Sequence, residues 1–70
     1  MESYKMRMGI EYRQLEQRIT KLEILLSKAK SDKLDFKLNC PIELLERQLS
    51  VMKDYRAILI ERATIEEVDL

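Results

Sequence analysis

Three tyrosines, Tyr4, Tyr12 and Tyr55, and four arginines near them in sequence or helical register, Arg7, Arg13, Arg56 and Arg62, are the side chains best suited to chemistry. An aromatic ring can stack on a base. A guanidinium can grip a phosphate through two parallel N–H donors. That pairing suits recognition of a nucleotide, and each residue also has a plainer reading. Tyr12 and Tyr55 fall on apolar stripes, where a ring packs in a core and keeps its hydroxyl wet. Tyr4 precedes the main stripe, which leaves its ring open to a ligand. Arg13 adjoins Tyr12, Arg62 follows Ile58 by one turn, and Arg56 interrupts an apolar stripe. Such an arginine either snorkels to water or lines a pocket between subunits, where symmetry multiplies it.

Groups that break bonds are scarce. The chain has no His, and Cys40 is its only cysteine. A lone thiol without a neighbouring base is a poor nucleophile. No catalytic residue, metal site or cofactor is expected. Lys28, Lys30, Lys33 and Lys37 cluster in sequence, but Asp32 and Asp35 dilute them, so a solvated connection is the default reading.

The elements that must carry these side chains are helical. Met8, Tyr12, Leu15, Ile19, Leu22 and Leu26 follow a 4-3-4-3-4 spacing, one stripe of a helix that faces another helix. Leu45, Leu49, Met52, Leu59 and Ala63 repeat it, with Arg56 on the same seam. The pattern predicts an all-α antiparallel hairpin in one domain spanning residues 1–70: helix 1 over about 4–27, a connection over 28–39 and helix 2 over about 40–66. Gly9 either bends off a short N-terminal helix, allows a close backbone approach, or is merely tolerated. An Arg7–Glu11 pair at i,i+4 should form weakly. Leu34, Phe36 and Leu38 alternate and are expected to fold back over the hairpin end. Pro41 suits the first position of helix 2, and the acidic run after Ile65 is expected to fray.

Helix 2 carries a second apolar seam, Leu44, Val51, Tyr55, Ile58 and Ile65, with Gln48 and Arg62 in register. One seam can pack on helix 1, and the other is left as an interaction surface. A core of this size supplies only about 3–5 kcal/mol and usually needs a staple. One cysteine cannot form an intrachain disulfide, and no His is present to ligate a metal, so a symmetric homo-oligomeric helical bundle is expected.

Thirteen basic and thirteen acidic residues leave no net charge. That argues against a general DNA binder, whose affinity rests on many phosphate contacts. Residues 1–38 hold nine basic and six acidic side chains, and residues 39–70 hold four and seven, so antiparallel halves attract. The longest apolar run is four residues, Ala57 to Ile60, against about 20 for a membrane span. Lys5, Arg7, Glu11 and Arg13 interrupt any signal-peptide pattern, and a lone cysteine fits a reducing compartment.

Helix 1, as Tyr4-x-x-Arg7-Met8-x-x-Glu11-Tyr12-x-x-Leu15-x-x-Arg18-Ile19-x-Lys21-Leu22, resembles small helical proteins of tailed phages, including crAss-like phages. So does helix 2, as Leu44-Leu45-Glu46-x-Gln48-Leu49-x-x-Met52-Lys53-x-Tyr55-x-x-x-Leu59-x-x-Arg62. Such hairpins look like the sponge proteins that counter the bacterial CBASS and Thoeris systems. Glu11-Tyr12-Arg13 keeps the Tyr-Arg pair of the anti-CBASS motif Gly-Tyr-Arg, with Glu11 in place of the glycine. That motif's lysine, fifteen residues after the tyrosine, falls here on Ser27, with Lys28 next. The resemblance implies a non-catalytic protein of the host bacterial cytoplasm. It would hold a cyclic oligonucleotide or an ADP-ribose-derived signal between subunits. Tyr4, Arg7, Tyr12 and Arg13 would serve one pocket, and Tyr55, Arg56 and Arg62 another. Two alternatives stand beside it: an inhibitor that binds a host defence protein directly, and a structural coiled-coil module.

Overall fold

The two apolar repeats meet along one line. In the computed structural model, which describes residues 3–70, α1 (Ser3–Lys30) and α2 (Ile42–Glu66) pack against each other as an antiparallel hairpin. No strand occurs among the described residues. The hairpin measures 47 × 18 × 17 Å. Its radius of gyration is 15.1 Å, where a compact globule of this length would show about 11 Å. A rod of two helices has a seam and almost no interior.

That seam is carried mostly by α1. Met8, Leu15, Ile19, Leu22 and Leu26 are all buried, and Tyr12 is half-buried. On α2 only Leu59 and Ala63 are buried, while Leu45, Leu49 and Met52 are half-covered. The centre is Leu15, Ile19 and Leu59, flanked by Tyr12, Leu49 and Met52. One helix can cover only a narrow stripe of its neighbour, so the flanks of α2 stay open.

α1 runs unbroken through Gly9, which answers the expectation of a bend. A Cβ there would meet only the tip of Arg13, at an ordinary 3.6 Å. No close backbone approach requires the glycine. It is tolerated, at a cost of roughly 0.5–1 kcal/mol relative to alanine.

Both helices end in a Schellman motif without glycine. At α1, Asp32 takes a left-handed φ of 58°, the Lys33 amide donates to the Lys28 carbonyl at 2.8 Å, and the Asp32 amide to Ala29 at 3.3 Å. α1 therefore extends to Lys30, past the last seam residue. At α2, Glu67 takes φ 57°, the Val68 amide donates to Ala63 at 2.8 Å, and the Glu67 amide to Thr64 at 3.4 Å. The acidic end closes in this way, with Val68 half-buried. Six-to-one and five-to-two bonds of this kind satisfy carbonyls that a helix end otherwise leaves open. Pro41 stands one residue earlier than expected, as the extended residue before the first helical position, and its carbonyl accepts from the Leu44 amide at 3.1 Å. In the connection, Leu34 and Leu38 fold back and are half-buried, whereas Phe36 points outward.

Candidate functional site

The hairpin has two unlike long faces. One carries three ion pairs across the helices: Glu16 with Arg56, Glu23 with Lys53, and Lys30 with Glu46. Their α1 members are seven residues apart, so they climb one edge of the seam as a ladder. The Arg56 Nη1 donates to Glu16 Oε1 at 2.7 Å, and the Tyr12 hydroxyl donates to Glu16 Oε2 at 3.4 Å. The Arg56–Glu16 hydrogen bond, helped by the charge of Glu16, outweighs partial desolvation and raises the Arg56 pKa above its usual value. Arg56 interrupts the apolar seam because its partner across the seam is an acid. A groove of about 590 Å³ beside the ladder is lined by Glu23, Lys30, Glu46 and Lys53, whose charges already cancel in pairs.

Each rung is partly exposed, so solvent screens most of its attraction. Glu23→Lys, placed against Lys53, is expected to lower the thermal midpoint by about 4–8 °C, the size of a 1 kcal/mol change in so small a domain. The swap Glu23→Lys with Lys53→Glu should restore it. A melting curve followed by circular dichroism reads both, and an unchanged midpoint in the single variant would remove the ladder from the fold's determinants.

The opposite face is different in kind. A groove of about 470 Å³ is lined by Leu15, Arg18, Lys21, Leu22, Leu25, Gln48, Met52 and Tyr55. It continues into a second depression formed by Leu44, Arg47, Gln48, Val51 and Met52. Three cations line the two depressions and no carboxylate does. Among the described residues, no acid lies within ion-pair distance of Arg18, Lys21 or Arg47. The α2 wall draws on the second apolar seam through Leu44, Gln48, Val51 and Tyr55, and that seam is exposed, from Val51 at 60% to Ile58 at 54% and Ile65 at 81% beyond the groove. On α1 the groove is lined by Arg18, Lys21 and Leu25 beside the seam residues Leu15 and Leu22; Arg7, Glu11 and Gln14 continue that stripe toward the N-terminus, outside the groove, at the same 4-3 spacing. Arg7 and Glu11 do not form the expected ion pair among the described residues.

The residues singled out from sequence are therefore distributed over three places. Tyr55 lines the basic groove, and Arg62 follows it on the same stripe. Tyr12 and Arg56 come together on the ladder face through Glu16. Tyr4 lies at the open end of the hairpin, its hydroxyl donating to Glu66 Oε1 at 3.1 Å. Arg13 lines a groove at that same end with Lys5, Gly9, Glu67 and Asp69. The structure adds Arg18, Lys21, Arg47 and Gln48 to the candidates. The signal for two of them was readable, since Arg18 and Lys21 lie on the polar stripe beside the α1 seam.

These faces offer binding, with one ring, flexible cations and an amide around an open trough. No group of His, Cys, Asp or Glu able to hold a metal converges among the described residues, and no helix is long and apolar enough to cross a membrane. A family model described as Sequestin matches residues 2–65. The chain belongs to the Sequestin family. The family's name points to sequestration, a binding role that suits a groove rich in recognition groups. No curated protein and no solved structure matches the chain at a significant level.

Proposed function

We propose that this Sequestin sequesters a nucleotide-derived immune signal, a cyclic oligonucleotide or an ADP-ribose derivative, and holds it intact between subunits. The observation that carries the reading is the basic groove, where Tyr55, Arg18, Lys21 and Gln48 converge with no carboxylate beside them. A ring supplies a stacking platform, the cations meet phosphates, and the amide can read a base edge. The groove's volume of about 470 Å³ falls within the ~300–1,000 Å³ range of small-molecule sites. It is open on one side, and a second subunit would close it. Arg62 extends the phosphate-binding wall. Tyr12 and Arg56 support the fold through Glu16, while Tyr4, Arg7 and Arg13 form a second candidate group toward the open end of the hairpin.

Tight capture is within reach of such a site. Nanomolar affinity corresponds to about −12 kcal/mol, which one stacked ring and several charge-assisted bonds can approach once the second subunit excludes water. The phage origin and the place of action, a bacterial cytoplasm defended by CBASS or Thoeris signalling, rest on the resemblance of residues 4–22 and 44–62 to phage hairpin sponges. The exposed Ile58 and Ile65 also suit a protein partner, and a host defence protein is the second reading.

Native mass spectrometry decides between them. The purified protein is sprayed with and without cyclic dinucleotides, cyclic trinucleotides and cyclic ADP-ribose isomers. An oligomer carrying one of these at a fixed number per assembly is the expected spectrum. An assembly that takes up none of them would transfer the case to a protein target.

A further inference from the structure

Two copies of this chain that meet basic groove to basic groove bring like charges together. In a two-fold contact each patch meets its own copy. Arg18, Lys21 and Arg47 would then be brought toward the same three cations of the second chain, with no carboxylate lining either groove. The whole chain is neutral, so this is a local imbalance. It exists because the ladder face uses Glu16, Glu23 and Glu46 to neutralise its own cations. At the same time Val51 in the second depression, and Ile58 and Ile65 further along the same α2 stripe, give a strong reason to pair, since each leaves more than half of its surface in water. The apolar stripe thus drives association while the two grooves beside it oppose their own contact.

We propose that the second copy docks here only when a phosphate-bearing anion sits between the two basic grooves, so that ligand capture and assembly are one event. This rests on the sequestration reading and deepens it: the ligand becomes the counter-charge that completes the interface. Two signs follow. Without an anion, added sodium chloride screens the repulsion and tightens self-association. With a bridging diphosphate, added salt competes with the bridge and loosens it.

Sedimentation equilibrium of the full chain in dilute chloride buffer tests this, with inorganic pyrophosphate as the probe. The comparison is with the triple variant Arg18→Gln, Lys21→Gln, Arg47→Gln. All three positions are exposed, and circular dichroism checks that the helices are kept. The neutralised variant is expected to self-associate roughly tenfold more tightly than the parent without any anion, the scale of surface charge repulsion. Pyrophosphate should tighten the parent and leave the variant unchanged. Equal association of parent and variant without anion, including both remaining monomeric, would overturn the proposal. The two readings fail separately. A parent that captures a cyclic dinucleotide in dialysis at unchanged assembly mass keeps sequestration and loses the gating. A parent that assembles on pyrophosphate but captures no nucleotide keeps the gating and loses sequestration.

Discussion

Leu59→Ala is expected to unfold most of the hairpin at room temperature. Leu59 is fully buried and meets Leu15 and Ile19 at the centre of the seam. A buried Leu→Ala change costs about 2–5 kcal/mol, because the lost transfer energy is joined by the cavity left behind. A core in a chain this short supplies only about 3–5 kcal/mol, so one substitution removes most of the margin. Ile19→Val, at an equally buried site, trims one methylene and should cost about 0.5–1.5 kcal/mol. Urea titration followed at 222 nm ranks the two. If Leu59→Ala keeps the parent midpoint, the stability of the chain resides in contacts between copies and the intrachain seam is secondary.

The second large effect is on ligand affinity. On the proposed reading, Arg18→Gln or Lys21→Gln removes one charge-assisted hydrogen bond to phosphate, worth about 1.5–3 kcal/mol, and should weaken capture of the preferred nucleotide roughly 10- to 100-fold. Tyr55→Ala removes a stacking surface of similar value, about 1–3 kcal/mol. The control lies on the other face: Lys53→Gln breaks a pair with Glu23 and should leave affinity unchanged. Isothermal titration measures all four. Equal losses at Lys53 and Arg18 would mean that the ligand does not distinguish the faces, and the groove assignment would fall.

Much of the fold was legible because a 4-3 repeat has one physical meaning in a helix. Met8, Leu15, Ile19, Leu22 and Leu26 stand in that repeat and are the buried side chains of α1. The α2 repeat is equally regular, yet Leu45, Leu49 and Met52 are only half-covered. Periodicity says which stripe faces the partner helix and not how much of it the partner can cover. Arg56 shows a second limit. Its place in the seam follows from Glu16, and a carboxylate on the other helix has no signature in the spacing of α2. The helix ends were illegible for a third reason. Schellman closures usually announce themselves by glycine, and here Asp32 and Glu67 take the left-handed conformation instead.

The candidate site was legible in half. The exposed seam with Tyr55 and Arg62 could be read from α2 alone. Arg18 and Lys21 could be placed on a polar stripe beside the α1 seam, but that this stripe faces Tyr55 across a groove follows only from the observed rotation of α1 against α2. That rotation also carries Tyr12 and Arg56 to the ladder face.

The central claim, that this Sequestin holds a nucleotide signal without cleaving it, is tested most directly by capture and release. The protein is mixed with the same nucleotide panel, separated from unbound material, and heat-denatured. The released molecules are then identified by mass spectrometry. The account predicts recovery of one nucleotide class, chemically intact and in fixed ratio to protein. Recovery of a hydrolysed product, or of no nucleotide at all, would contradict it.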